Sequence, residues 1–516
     1  MASVAIGDSR PVGIEATAPA QPAAAPFRLA TILVPLAAII LGAFMAMLDG
    51  TAVNVALPVL VDRFHSDVST LQWAITGYSL AQAAIIPLAG WLCDRFDARR
   101  VYLAALTAFV AGSLLCACAL NPGMLIGFRV VQGLGGGCLL PIGMTYIFKL
   151  SPPEKRGVVM GTYGIPILFA PAIGPTLSGF LVQYADWRFV FLLNLPIGAL
   201  ALWLGLRFLP SLERQATAAL DRAGMLLGPL SFALLTFGVT QTGNGWSSPP
   251  ALLGLGIGFA ALAGFVAAEL RAEQPLLDLR VFRSLDFTLA LLTQWIGQVA
   301  LFGGVFLVPL FLHIVRHYGA LDTGLALLPQ ALAAALFMPV GGIIYDRYGV
   351  RPVVIGGLTL VGIAALALAR IGNATEARDL ILPLALRGAG MGVMMMPLNT
   401  HLLAAAPRAL VGRVSALSQS LSNVIAAMTI AAMATLLQSR ANGHIDTMIN
   451  TFDARMSSNQ GLPPGIGDTL KDYGAAWAQG FDETFLFQSG FAVAGVLMAL
   501  SLRRLATPSA PKPGTA

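Results

Sequence analysis

The sequence predicts an all-α protein that crosses a membrane many times. Of its 516 residues 57% are hydrophobic and 11% charged, and the mean hydropathy is +0.77. Such a chain cannot cover itself with a water-facing surface. Its apolar residues come in repeated runs near the length that carries a helix across a bilayer. The basic residues between those runs fall mainly in every second loop, the pattern of the positive-inside rule.

The elements follow in order. Residues 1–28, with "GIEATAPAQPAAAP", read as a disordered cytoplasmic segment. They lack the basic start and short apolar core of a cleavable signal, so the first span is expected to remain as an anchor. Fourteen spans are expected, at 29–57, 70–93, 101–121, 124–148, 159–182, 188–208, 224–242, 250–270, 286–311, 323–344, 350–370, 379–401, 413–437 and 486–505. The 55 glycines and 32 prolines are spread through them, which membrane helices tolerate when neighbours re-satisfy the backbone.

Arg95, Arg99 and Arg100 follow span 2, and Lys149, Lys155 and Arg156 follow span 4. Arg207, Arg214 and Arg222 lie between spans 6 and 7, and Arg271, Arg280 and Arg283 between 8 and 9. Arg347, Arg351, Arg408, Arg413, Arg503 and Arg504 continue the alternation, against Arg63, Arg188 and Arg316 on the other side. Both termini are therefore expected in the cytoplasm of a cell whose inner membrane holds the chain. The formal charge of +6 is loop charge and gives no support to nucleic-acid binding. The longest polar insertion, 438–485, falls on the outer face and reads as two helix-compatible stretches around the breaker "GLPPGIG". It is either a linker or a docking surface.

Cys93, Cys116, Cys118 and Cys138 lie in or beside spans without a CxxC pattern, and the five histidines are scattered. Small apolar packing explains the cysteines. No metal site, cofactor or catalytic nucleophile–base pair is expected.

"AMLDGTAVNVALP" (46–58) places Asp49 and Asn54 inside an apolar run, where a carboxylate is costly and so points to function. Burial disfavours the charged form and lets a carboxylate load and release a proton near neutral pH, while a nearby cation acts the other way. Arg129, alone in the middle of span 4, is the expected cation. Asn54 and Gln132 are expected either to bridge the two or to touch substrate. The alternative is a static Asp49–Arg129 pair holding helices 1 and 4 in register. Arg387, near the start of span 12, reads equally as a coupling residue or as a structural one that snorkels.

The chain also repeats. "GWLCDRFDARR" (90–100) and "GGIIYDRYGVR" (341–351) share one register: Gly90, Asp94, Arg95 and Arg99 answer to Gly342, Asp346, Arg347 and Arg351. Duplicated halves of a transporter predict such a repeat. The small residue admits a second helix, and the aspartate can accept from an arginine or from the first amides of a neighbouring helix. Plain basic loops are the alternative. "GIPILFAPAIGPTLSG" carries Pro166, Pro171 and Pro175, which bend a helix, and Gly164, Gly174 and Gly179, which leave a bare face for close packing.

These fragments together resemble the fourteen-spanner drug:proton antiporters of the major facilitator superfamily, the EmrB/QacA-like permeases, over nearly all of residues 30–505. "LDGTAVNVALP" (48–58) is similar to their first-helix signature and "GWLCDRFDARR" to the superfamily's loop 2–3 motif, with Asp97 where glycine is usual. "FRVVQGLGGG" (128–137) resembles the fourth-helix motif, which assigns its roles to Arg129, Gln132 and Gly133. "APAIGPTLSG" (170–179) resembles the fifth-helix exporter motif, through Pro171, Gly174, Pro175 and Gly179, with Ser178 replacing a glycine. "WRFVFLLNLPIG" (187–198) is similar to a further stretch typical of the family.

The resemblance implies two six-helix bundles, here 29–208 and 286–505, with two additional helices in 209–285 and a disordered tail at 506–516. It implies export of hydrophobic or amphipathic compounds driven by inward proton flow, and, in a Gram-negative host, a periplasmic adaptor and outer-membrane channel. Met45, Met47, Trp73, Tyr78, Trp295 and Met394–Met396 are candidates to line an adaptable cavity. The scarcity of other buried acids favours weakly acidic, uncharged or zwitterionic substrates over dications. A transporter of one physiological solute and a non-transporting receptor or scaffold remain the other readings.

Overall fold

The computed structural model describes residues 29–212, 221–272, 275–277, 279–371, 375, 377–407, 410–457 and 465–502. The expected disordered ends, together with Arg214, Arg408, Arg503 and Arg504, lie outside that set. The described chain is helical: α1 (Leu29–Phe64), α2 (Val68–Phe96), α3 (Ala98–Ala117), α4 (Pro122–Leu150), α5 (Arg156–Tyr184), α6 (Arg188–Leu192), α7 (Asn194–Phe208), α8 (Arg222–Thr240), α9 (Pro249–Arg271), α10 (Leu285–Ile314), α11 (Ala320–Tyr348), α12 (Val350–Leu368), α13 (Ala377–Ala404), α14 (Val411–Ser457) and α15 (Gly465–Leu500).

Twelve spans among the described residues are long and apolar enough to cross a membrane, and thirteen when the bent α5 is counted as one. The expected fourteenth, 486–505, is the end of α15 and runs on past the described residues. Segments α6 and α7 form a single span of 21 residues, interrupted at Leu193. Pro196 has no N–H to give to Leu192, so the ladder breaks there. Helix α5 is bent by 43° between Pro171 and Thr176, where its prolines stand. Among the described residues the insertion 438–485 is helix, the extended end of α14 and the start of α15, which takes in the last three residues of "GLPPGIG". Arg440 and His444 of α14 meet Glu483 of α15 at 3.3 Å and 3.0 Å.

Local chemistry starts the helices. Asp67 accepts from the Thr70 amide to cap α2, Asn121 from Met124 to cap α4, and Asp221 from Gly224 to cap α8. Glycine then sets how closely the helices pack. In α4, Gly133 lies against the Tyr78 carbonyl, Gly135 against Ala105 and Phe109, and Gly137 against Gln82. In α13, Gly388, Gly390 and Gly392 lie against the carbonyls of Gln330, Gly357 and Ala334. "QGLGGG" and "RGAGMG" are thus a second repeat: α4 sits on α2 and α3 as α13 sits on α11 and α12. Arg387 holds in α13 the place that Gln132 holds in α4.

The two halves meet through the first repeat. Gly90 of α2 faces the Arg413 backbone of α14, and Gly342 of α11 faces the Gly157 carbonyl of α5. A Cβ at either glycine would collide with backbone, so both close approaches need glycine. The inserted pair α8–α9 lies beside α2 and α14. Phe232 and Leu235 share a core cluster with Ala83 of α2 and Val424 of α14, and Phe237 stacks on Trp73 at 6.1 Å.

Candidate functional site

Three helices of the first half bring their polar groups to one carboxylate. Asp49 Oδ2 takes the Arg129 Nη1 hydrogen at 2.5 Å. Asp49 Oδ1 accepts from Gln132 Nε2 at 3.0 Å and from Asn194 Nδ2 at 2.9 Å. Arg129 also donates from Nη1 to Gln132 Oε1 at 2.8 Å and from Nε to the Ala74 carbonyl at 3.2 Å. Asn194 Nδ2 reaches Ser113 Oγ at 3.0 Å, and Ser113 gives its hydrogen to the Phe191 carbonyl. Every one of these side chains is at most 1% exposed.

The arrangement follows from the sequence locally. Arg129 and Gln132 lie three residues apart on α4, so they share a face. The break at Leu193 leaves Asn194 as the first residue of α7, aimed across at α1. Tyr78 of α2 lies under the guanidinium, its ring 3.9 Å from Arg129 Cζ, and its hydroxyl accepts from Gln82 Nε2 at 2.9 Å. Cys116 approaches Gln132 Oε1 at 3.7 Å. Asp49 thus accepts three side-chain hydrogen bonds from α4 and α7, one of them from a guanidinium.

Asp49, Arg129 and Gln132 therefore come together, and Tyr78, a candidate lining residue, lies against Arg129. Asn54 does not join them. It lies more than one helical turn beyond Asp49 on α1, where its side chain is exposed, and Asn194 takes the bridging place. Its signal in the sequence is an amide inside "FLLNLPIG", an apolar run. Of the candidate lining residues, Met45, Tyr78, Met394 and Met396 are buried in the core, whereas Trp73 is exposed.

Arg387 is a correction to the snorkelling reading. It is 1% exposed, and its Nη2 donates to the Leu301 carbonyl of α10 in the notch left by Gly304. Gln488 of α15 donates to the Ala300 carbonyl beside it. The second half thus has an arginine and an amide facing its first helix, as the first half has, with no carboxylate paired to Arg387 among the described residues.

The two Asp-Arg loops form the contact between halves, each with a different partner. Asp94 Oδ2 accepts from Arg413 Nε at 3.0 Å, with Lys149 nearby. Asp346 accepts from the Gly157 amide at 2.8 Å and the Val158 amide at 3.1 Å, at the start of α5. An arginine and a pair of helix N-terminal amides do the same task at equivalent places. The residue across from Asp94 is Arg413; Arg347 is exposed and lies 5.5 Å from the ring of its neighbour Tyr348. Arg95 is exposed; Arg99 donates to the Leu206 carbonyl and Arg351 to the Leu502 carbonyl. These two tie α3 to α7 and α12 to the end of α15.

In α5, Gly174 packs against Thr51 of α1, Pro171 and Gly179 are half-buried, and Ser178 donates to the Ala52 carbonyl. The exporter-like stretch is thus a contact with the helix that carries Asp49. The side chain of Pro175 lies outside the described set.

Comparison with known proteins gives a consistent picture. Residues 39–430 match the model of the Major Facilitator Superfamily. The chain is 33% identical over 485 residues to an uncharacterized MFS-type transporter, YhcA, of Bacillus subtilis (strain 168), covering 90% of this chain and 91% of the relative. It is 40% identical over 370 residues to a multidrug resistance protein B homolog of Mycobacterium tuberculosis (strain ATCC 25618 / H37Rv), covering 70% and 68%. It is 31% identical over 470 residues to the lincomycin resistance protein LmrB of Listeria innocua serovar 6a (strain ATCC BAA-680 / CLIP 11262), covering 91% and 96%. Among solved structures, the proton:xylose symporter XylE shares the fold at a TM-score of 0.60 and 13% identity, covering 93% of this chain and 97% of its own.

Proposed function

The chain belongs to the Major Facilitator Superfamily, and we propose that it exports hydrophobic or amphipathic drugs across the cytoplasmic membrane in exchange for protons. Relatives named for multidrug and lincomycin resistance support the drug-efflux part. The observation that carries the coupling part is the buried Asp49–Arg129–Gln132–Asn194 cluster. Arg129 does not titrate in the working range, so Asp49 is the group that carries the proton.

Protonation of Asp49 removes its hold on Arg129 and on the two amides, and the freed helices α1, α4 and α7 shift against one another. Deprotonation restores the network and favours the other arrangement. Export follows if substrate and proton favour opposite states, which is a linkage and needs no direct contact between them. The basic end, closed by Asp94–Arg413 and Asp346 with α5, is the cytoplasmic gate. Both termini face the cytoplasm, and the α14–α15 extension faces outward, where an adaptor would meet it in a host with an outer membrane.

The test is a dye and antibiotic panel in an efflux-deficient host. Cells with the wild type should expel several unrelated lipophilic compounds, and cells with Asp49→Asn at equal membrane abundance should expel none. Transport of a single metabolite with no drug efflux would assign the fold to a physiological solute instead.

A further inference from the structure

The inserted helices α8 and α9 have no counterpart in the duplicated halves, yet a buried acid ties them to the gate. Glu269, near the end of α9, is 1% exposed. No ion pair to it occurs among the described residues. Its Oε1 accepts from the Leu276 amide at 3.1 Å and its Oε2 from the Leu277 amide at 2.9 Å. Leu276 and Leu277 are themselves buried in the main core, so this turn of the linker is pinned by both its backbone and its side chains.

The Leu276 N–H and the Pro275 C=O belong to one peptide group. In a trans peptide the two point in opposite directions within a rigid plane, and no peptide bond among the described residues is cis. With Glu269 on the N–H side, the Pro275 carbonyl must face away from it. There it accepts from Arg413 Nη1 at 2.7 Å. The same guanidinium gives Nε to Asp94 at 3.0 Å. The row therefore runs carboxyl, peptide, guanidinium, carboxylate. Two fixed acceptors on one planar fork set its orientation as well as its position.

Glu269 is in turn placed by α8. Asp221, the cap of α8, accepts from the Gly224 amide at 2.9 Å and lies beside Glu269. Gly224 leaves the room: a Cβ there would press on an oxygen of both acids. The exposed Arg222 and Arg271 lie on the same two helices, and Arg280 reaches the Ala272 carbonyl.

We propose that Glu269 is a positioning residue of the gate: it fixes the peptide whose carbonyl aims Arg413 at Asp94, so that the inserted helix pair sets how firmly the basic end closes. This rests on the transporter reading, but its test reads gate opening without any substrate. Spin labels at positions 100 and 407, one in each half at the basic end, are placed in protein whose four native cysteines are replaced by alanine, and their separation is measured in lipid nanodiscs.

Glu269→Gln keeps the shape but turns an NH2 donor toward an amide donor. It should raise the ratio of separated to closed molecules about tenfold, the effect of leaving one buried amide without its acceptor. Gly224→Ala, a change in α8 that crowds Glu269 from across the pair, should shift the ratio in the same direction. Neither change should add to the opening already caused by Arg413→Ala. A Glu269→Gln distribution identical to the wild type, or an equal further shift in the Arg413→Ala background, would overturn the proposal. Drug efflux measured separately distinguishes that failure from a failure of the transporter reading.

Discussion

Replacing Asp346 by alanine should unlatch one side of the gate by an amount the geometry sets. The carboxylate accepts from two of the four amides at the start of α5 that have no partner within their own helix. Such bonds to a charged group are worth about 1.5–3 kcal/mol each when dry, and Asp346 is only half-buried, so about 1 kcal/mol each is the better figure. The negative charge at a helix N-terminus adds about 0.5–1 kcal/mol. The closed state should lose about 2–3 kcal/mol, a shift of roughly 30- to 150-fold in the open-to-closed ratio. Met338 reports it. It is fully buried on α11, against Gly161 and Gly164 of α5, and is uncovered only when those helices part. A cysteine at 338 in a background without the native four should react with an impermeant maleimide at least about 30-fold faster from the basic side in Asp346→Ala, with Asp346→Asn in between. Wild-type reactivity in a normally accumulating Asp346→Ala protein would refute this account of the latch.

Asp94→Ala and Arg413→Ala should each cut efflux strongly at unchanged membrane abundance, whereas Arg347→Ala should have the smaller effect; the three are compared by dye efflux in intact cells. Arg387→Gln should raise the melting temperature of the purified protein, because it removes a buried cation with no paired carboxylate among the described residues. A fall would mean that the bond to the Leu301 carbonyl outweighs the charge. Asp97→Gly should also raise it slightly. Asp97 has φ +76° where the second half has Gly349 at φ +85°, a conformation that costs a residue with a side chain about 1 kcal/mol. The cap to the Arg99 amide loses only a few tenths of that on going to glycine.

What is legible in the sequence is what lipid makes expensive. Asp49 and Arg129 stand out because a charge inside an apolar run has to be paired, and the Asp-Arg loops because they recur in register. Asn194 is less visible, since an amide in a span costs less than a charge and its partner lies 145 residues away. Arg413 reads as one more basic loop residue; only the close approach at Gly90 brings it to Asp94. Glu269 is hidden for the same reason, because it binds backbone amides, which have no sequence signature. The α13 repeat is masked because arginine replaces glutamine at its head. It appears when Gly388, Gly390 and Gly392 are seen to meet α11 and α12 as Gly133, Gly135 and Gly137 meet α2 and α3 in the first half.

The claim at the centre is that Asp49 carries the exchanged proton. Purified protein in lightly buffered detergent solution, mixed with an exported drug, should release protons into solution as substrate displaces the protonated state. Asp49→Asn should bind the drug and release none, and Asp49→Glu should release protons over a shifted pH range. Equal release from the wild type and Asp49→Asn would contradict the account, placing the coupling group elsewhere and leaving Asp49 as a fixed tie between α1 and α4.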